Sequence, residues 1–182
     1  MQIVPAPRIT RFAQLNSGDL FFWRHGLGAC VAIVAEDPTP GGEKFALPLG
    51  PEFPVDVTGP TLINANGTTV VSFGKEYVLR LPVRPKEWLD TSPPRDTHCI
   101  LVTEQGTYFR ANFSRQPVLF SPCYVDVVTG LICARSSGSA GQFVTPSGTQ
   151  AFALQWEIVT TESNPRAILR YPYPSPSAAT AS

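Results

Sequence analysis

Apolar residues recur along this chain in short runs that often alternate with polar residues and are bounded by glycine, proline and other turn formers. Alternation with a period of two indicates β-strands, and many short strands between turn residues are typical of sandwiches and barrels. Only the segment 84–90 (RPKEWLD) is a candidate helix, of one or two turns at most. The pattern predicts strands at 19–24, 29–35, 44–49, 61–65, 68–73, 76–81, 99–103, 107–113, 124–128, 131–135, 142–145 and 150–160.

Turn residues between these runs predict hairpins. Asn66-Gly67 gives the strongest signal, because a type I′ turn needs positive φ at both central residues and this dipeptide tolerates it. Further hairpin turns are predicted at 73–76 (FGKE), 104–106 (EQG), Thr129-Gly130 and 146–149 (PSGT). The chain is therefore expected to form meandering hairpins.

The predicted fold is all-β with almost no helix: one or two small SH3-like or meander barrels, with a β-sandwich as the alternative. The polar segment 84–97 holds three prolines and separates two strand-rich halves. The domain organisation predicted is a barrel-like half over 1–83, a linker or cross-over over 84–97 and a second β-rich half over 98–170. A tail over 171–182 alternates proline with tyrosine and serine, and is expected to be extended or disordered.

Composition narrows the function. Apolar residues make up 43% of the chain and charged residues 15%, against a usual charged share of roughly 25%. So little charge favours a protein that buries surface against a partner or against copies of itself. Lysine plus arginine balance aspartate plus glutamate at 14 each, which argues against a general nucleic-acid binder. No secretory signal or membrane-spanning run is evident, so we expect a cytoplasmic protein without membrane contact.

The glycines at 26 and 28 suggest a phosphate-binding loop, which must end at the start of a helix. The residues that follow, ACVAIV, read instead as a strand. We therefore expect a hairpin turn here and assign no cofactor.

Cysteine and histidine could supply a hydrolase site, but the spacing does not favour one. The four cysteines (Cys30, Cys99, Cys123, Cys133) form no CxxC pair and lie in apolar runs, so no metal site is predicted. In a strand, His98 and Cys99 would point to opposite faces and could not form a nucleophile–base pair. We assign no catalytic residue.

Aromatic residues and arginines are interleaved in FFWRHG (21–26), YFRANFSRQ (108–116) and RYPYP (170–174). Such segments can stack single-stranded bases or pack against a protein. A structural interpretation is also open, in which Phe22, Phe109 and Phe113 point inward while Arg24, Arg110 and Arg115 point outward. The candidate binding residues are Trp23, Arg24, His25, Tyr108, Arg110 and Arg115.

Three classes of function follow. The first is a non-catalytic interaction or structural protein that assembles through β-edges and apolar surface, by self-association or with a protein partner. The second is a small-barrel nucleic-acid-binding protein that uses an aromatic and arginine face, for which the net charge gives no support. The third is a hydrolase with a scattered Cys/His site. The missing catalytic motifs favour the first.

Overall fold

The computed structural model describes residues 7–25, 28–50, 61–81, 88–89, 98–113, 121–134, 150–161 and 163–172. These residues form fourteen strands and one 3-10 helix, Phe12–Gln14. Every pairing between the strands is antiparallel. The all-β prediction is confirmed.

The strands belong to three sheets. A five-stranded sheet has the order β1-β5-β2-β3-β4 and contains β1 (Arg8–Arg11), β2 (Leu20–His25), β3 (Gly28–Glu36), β4 (Lys44–Pro48) and β5 (Thr69–Gly74). A six-stranded sheet has the order β11-β10-β9-β8-β12-β7 and contains β7 (Trp88–Leu89), β8 (Ile100–Thr103), β9 (Gly106–Phe113), β10 (Ser121–Asp126), β11 (Ile132–Ala134) and β12 (Gln150–Ala153). A three-stranded sheet has the order β14-β13-β6 and contains β6 (Tyr77–Arg80), β13 (Trp156–Thr160) and β14 (Ala167–Tyr171). Among the described strands, none of the sheets closes into a barrel.

Most predicted strands are present within a residue or two of their expected bounds. The strand predicted at 61–65 is wrong, because this segment forms only isolated bridges such as that of Ile63 to Ala46. The other differences are local. The run 150–160 is two strands, because the chain leaves the six-stranded sheet and enters the three-stranded one between them. The helix expected over 84–90 is wrong at the two residues that are described, since Trp88–Leu89 pair with β12 as a strand. The strand predicted at 142–145 lies outside the described residues.

Three predicted hairpins are confirmed: β2–β3 across the glycine pair, β8–β9 at residues 104–106 and β10–β11 at Thr129-Gly130. Two others are wrong, because their flanking segments pair elsewhere. Before Asn66-Gly67, Ile63 bridges Ala46 of β4, whereas β5 after the turn pairs with β1 and β2. After residues 73–76 the chain changes sheets, since β6 pairs with β13. The turn predicted at 146–149 lies outside the described residues.

The largest hydrophobic core is enclosed by all three sheets, so the two strand-rich halves of the chain share it. Its fully buried members include Leu20, Ile33 and Leu47 of the five-stranded sheet, Ile100 and Val125 of the six-stranded sheet and Ile158 of the three-stranded sheet. The first half also donates β6 to a sheet whose other strands come from the second half. The division at 84–97 into separate halves stays a prediction, and of the tail only Tyr171 and Pro172 are described.

Two smaller clusters cover the outer faces of the larger sheets. The 3-10 helix brings Phe12 onto the five-stranded sheet, where its ring meets Phe21 edge-on at 5.5 Å and lies near Trp23 in the same cluster. On the six-stranded sheet, Tyr108 and Phe152 lie in a cluster on the face away from the shared core. Both larger sheets are therefore covered on two faces over part of their area.

The β10–β11 turn joins the two larger sheets by close contact of backbone. The amide of Glu36 donates to the carbonyl of Gly130 at 3.0 Å, and the Ser17 hydroxyl donates to the carbonyl of Thr129 at 2.7 Å. Gly130 has φ 75°, and a Cβ built there would lie 2.7 Å from the Cα of Gly18. Only glycine fits both this conformation and this separation.

A carboxylate holds the turn in shape. Oδ1 of Asp126 accepts from the amides of Val128 and Thr129 at 3.0 and 2.7 Å and from the Thr129 hydroxyl at 2.9 Å. Such a side chain replaces the backbone partners that a turn leaves unmade. The conformation of the turn is thereby fixed by contacts within residues 126–129.

We predict that Gly130→Ala destabilises the protein well beyond the cost of its positive φ. Gly67→Ala is the matched control, because Gly67 has φ 83° with no atom within 4 Å of the added Cβ. The control should lower the free energy of unfolding by about 1–2 kcal/mol, and Gly130→Ala by about 1–3 kcal/mol more through displaced backbone. Urea denaturation followed by circular dichroism measures both. Equal losses in the two variants would show that the sheets do not depend on this approach.

Candidate interaction surfaces

The first group of predicted binding residues lies at the end of β2 but does not share a face. Trp23 is 1% exposed and packs in the cluster that contains Phe12. Arg24, the next residue along the strand, is exposed on the opposite face. The backbone of His25 pairs with Gly28, and its side chain lies outside the described part of the structure. The structure therefore does not bring Trp23 and Arg24 together.

The second group lies on β9, where Tyr108 and Arg110 share one face of the six-stranded sheet as the alternation predicts. Both are buried, at 6% and 7% exposure. Arg110 thus points away from the shared core and from Phe109, as the alternation predicts, but it is not exposed, because a second cluster covers this face of the sheet. Arg115 and the side chain of Phe113 lie outside the described residues. The binding role of both groups stays a prediction.

Arg110 is next to a buried thiol. Its backbone amide donates to the carbonyl of Cys99 at 3.2 Å, and its side chain hydrogen-bonds the Cys99 sulfur. Burial nevertheless raises the pKa of Cys99 to about 11, which the charge of Arg110 only partly opposes. The neutral thiol, which is a poor nucleophile, is therefore the stable form at neutral pH.

The other thiols for which a shift is resolved behave alike. Burial raises the pKa of Cys123 to about 12 and also raises that of Cys133, and the nearby Asp126 adds to the latter effect. Among the described residues, no group of three or more histidine, cysteine, aspartate or glutamate side chains is arranged to hold a metal ion.

His98 and Cys99 lie in different environments, as expected of neighbours in an extended segment. Cys99 belongs to the cluster with Tyr108, whereas His98 lies beside Tyr171, with ring centroids 5.5 Å apart. The indole N–H of Trp156 donates to the carbonyl of His98 at 2.9 Å. Burial lowers the pKa of His98 to about 4, so its imidazole is neutral at physiological pH.

An apolar row crosses four adjacent strands of the five-stranded sheet. Ile9 pairs with Val71, Val71 with Phe22, and Phe22 with Val31. Neighbouring strands lie about 4.8 Å apart, so the row is about 14 Å long. Ile9 is 80% exposed and Phe22 39% exposed, while Val71 and Val31 are half-buried. The inward orientation expected for Phe22 is wrong. The shared core covers this face around Leu20 and reaches Val31 at one end of the row, but Phe22 and Ile9 do not pack against it.

This apolar row lies beside a sheet edge and two exposed arginines. Among the described strands, β1 pairs only with β5, which leaves its other side as an edge. Arg11 and Arg24 are each two residues from a member of the row on the same strand, so they lie on the same face. The sequence reasoning missed this surface because β1 is only four residues long. The only sequence signal for this surface was the alternation of polar and apolar residues in β1, RITR (Arg8–Arg11).

The chain matches no family model, and comparisons with curated proteins and with solved structures find no similar chain. Within the described residues there is no helix with the length and apolar character needed to cross a bilayer.

We predict that His98 makes stability depend on pH. Its pKa of about 4 in the folded state lies below its ordinary 6.5, so the unfolded chain binds the proton more readily between these values. The stabilisation from neutral His98 is complete above about pH 6.5 and is lost as the pH falls towards 4. Urea denaturation at pH 7 and pH 4.5 should show a loss that His98→Asn reduces by about 1–3 kcal/mol. The same loss in both proteins would contradict this prediction.

We also predict slow thiol modification in the folded protein. Cys30, Cys99 and Cys123 are buried, and burial raises the pKa of the last two. Ellman's reagent at pH 7.5 should react with these three far more slowly than with the same thiols in 8 M urea. Mass spectrometry of alkylated peptides assigns the sites. Rapid labelling of Cys99 in the folded protein would instead indicate a reactive thiolate.

Proposed function

We propose that this is a non-catalytic interaction protein that binds an extended partner segment at the edge of β1 and on the adjoining apolar row. The observation that carries the proposal is the exposure of Ile9 and Phe22, side by side with Val71, next to a sheet edge. An added strand would satisfy the edge hydrogen bonds, and alternate side chains would cover the row.

Burial of the apolar row against a partner segment provides the favourable free energy of binding. Full burial of an isoleucine side chain is worth about 1.5–3 kcal/mol, and Ile9 retains 80% of its exposed surface in the folded chain. Edge strands with large exposed apolar side chains also favour pairing with another chain. A partner segment that places apolar side chains over Ile9 and Phe22 gains from both effects.

Charge specifies the partner further. The strands β1, β2 and β5 carry three arginines and no acidic residue. All three arginines, Arg8, Arg11 and Arg24, are exposed. The partner segment that fits is therefore one in which apolar residues alternate with acidic ones, whether it belongs to a second copy of this chain or to another protein.

The other two classes of function have weaker support. A thiol hydrolase needs a nucleophile with a lowered pKa, and the thiols of Cys99, Cys123 and Cys133 are instead shifted upward. A nucleic-acid face built on Tyr108 and Arg110 needs exposed rings and cations, and both side chains are buried.

We predict that Ile9→Lys weakens binding at the row while the fold is retained. Light scattering over a range of concentrations measures self-association. Fluorescence polarisation with a labelled peptide of alternating valine and glutamate measures binding in trans. Loss of the buried isoleucine should weaken whichever association occurs by about tenfold or more, and Phe22→Ser should act in the same direction.

Val128→Lys is the matched control, since Val128 is 76% exposed in the β10–β11 turn and away from the row. A peptide with lysine in place of glutamate should bind more weakly than the acidic one. The proposal fails if the protein is monomeric and does not bind the acidic peptide, or if Ile9→Lys and Val128→Lys have equal effects.

A further inference from the structure

A polar depression lies on the face of the five-stranded sheet that is opposite the apolar row. It is found where β1 and β2 begin and β5 ends, because these three strands are antiparallel neighbours. Its volume is about 530 Å³, within the size range of small-ligand sites. Most of its lining residues are polar or charged, among them Arg8, Thr10, Asn16, Asp19, Ser72 and Lys75.

The strand register places the side chains of β1 and of Asp19 on this one face. Thr10 pairs with Val70, a member of the cluster around the 3-10 helix, and Arg8 lies two residues before Thr10 on the same face. Asp19 lies opposite Val34, another member of that cluster, whose amide donates to the Asp19 carbonyl at 3.0 Å. These polar side chains therefore point away from the shared core and towards the depression.

Asp19 supplies a buried carboxylate. The residue is 7% exposed, and its Oδ2 accepts from the Asn16 amide at 2.8 Å. Within the described part of the chain, no other hydrogen bond to this carboxylate is formed. A buried carboxylate oxygen without a donor is unfavourable. Because Asp19 lines the depression, a ligand bound there can supply a donor to Oδ1.

The depression carries charges of both signs. Arg8 and Lys75 contribute two cations, and Asp19 and Glu76 contribute two anions. The Lys75 ammonium lies beside Gly18, the residue before Asp19, since its Nζ is 3.3 Å from the point that a Cβ on Gly18 would occupy. An ammonium group on the ligand would therefore meet a like charge at Lys75, and a carboxylate would meet one at Asp19. The lining thus favours a ligand without charged groups.

The neutral side chains offer further hydrogen-bonding groups. Oε1 of Gln14 accepts from the Thr10 hydroxyl at 2.8 Å, which leaves the N–H donors of its amide for a ligand. The Ser72 hydroxyl accepts from the Gly74 amide at 3.1 Å and keeps its own proton to donate. A hydroxyl group both donates and accepts. A ligand with several hydroxyl groups can therefore bond to the anions and to the donors of the depression together.

We propose that this depression binds a neutral saccharide. Sugar hydroxyls donate to the carboxylate of Asp19 and accept from the two cations, Arg8 and Lys75. They also reproduce the hydrogen bonds of the water that they displace, which keeps the exchange favourable. The site lies on the other face of the sheet from the apolar row and does not depend on the function proposed for that row.

The test uses the full chain with glucose, galactose, mannose and trehalose as probes. Saturation-transfer NMR detects binding and isothermal titration measures the affinity, and we expect saturable binding of at least one of the four. The amino and uronate derivatives of the hexoses are charged comparisons, and glycine is a zwitterionic one. Each should bind at least about threefold more weakly than the best neutral sugar, because each meets a like charge.

Variants assign the binding to this depression. Asp19→Asn should weaken saccharide binding by about tenfold, because a neutral amide accepts a weaker hydrogen bond than a carboxylate. Arg8→Gln and Lys75→Gln change exposed side chains and should each weaken binding by about threefold. Arg24→Gln should leave binding unchanged, since Arg24 is an exposed arginine of the same sheet on the row face. Urea denaturation checks that each variant is folded, and the two exposed positions test the site even where Asp19→Asn does not fold.

The proposal is overturned if none of the neutral saccharides binds saturably, or if a charged derivative or glycine binds more tightly than they do. It is also overturned if Arg8→Gln and Lys75→Gln have no effect, or if Arg24→Gln weakens binding as much as they do. Failure here leaves the proposal for the β1 edge untouched, since the peptide experiment uses Ile9 and Phe22 on the other face and another probe.

Discussion

The approach of Gly130 to Gly18 is the contact on which the arrangement of the sheets depends. There the backbone of the β10–β11 turn lies against that of the segment before β2, with no room for a side chain between them. The neighbouring Glu36 amide and Gly130 carbonyl are paired across the same junction. Because each sheet presents an apolar face at this junction, holding the backbones together also closes the shared core around them. The hydrogen bonds of Asp126 fix the conformation of the turn locally, and the turn in turn makes the long-range contact between Gly130 and Gly18.

Three sheets around one core account for the low charge of the chain. A sheet covered on both faces has few positions that can carry charge, and both larger sheets have a second cluster on their outer face. The same packing buries thiol and imidazole side chains that could otherwise take part in catalysis. Cys99, Cys123 and His98 lie where burial favours their neutral forms. Their environments are those of packing residues, and the surfaces for which we propose binding lie at and beside a sheet edge instead.

The row through Ile9 and Phe22 is exposed because the shared core covers this face of the five-stranded sheet around Leu20 and Val31 but does not extend to Ile9. The row combines apolar surface with nearby arginine, which is what the interleaved segments of the sequence suggested, and Phe22 and Arg24 come from one of those segments. Of the predicted binding residues whose side chains are described, only Arg24 lies beside the row, because Trp23, Tyr108 and Arg110 are buried.

The sequence by itself determined the strands. Alternation, turn residues and the lack of a helical period located most of them, and the β8–β9 and β10–β11 hairpins followed from local turn chemistry. Tertiary structure decided which strands pair and which faces are covered. A period of two separates the two faces of β9 without showing that Tyr108 and Arg110 lie under a second layer, and Asn66-Gly67 turns the chain without choosing its partners. Those choices depend on contacts between residues far apart in sequence, such as Gly18 with Gly130 and Arg80 with Glu157, which no local pattern encodes.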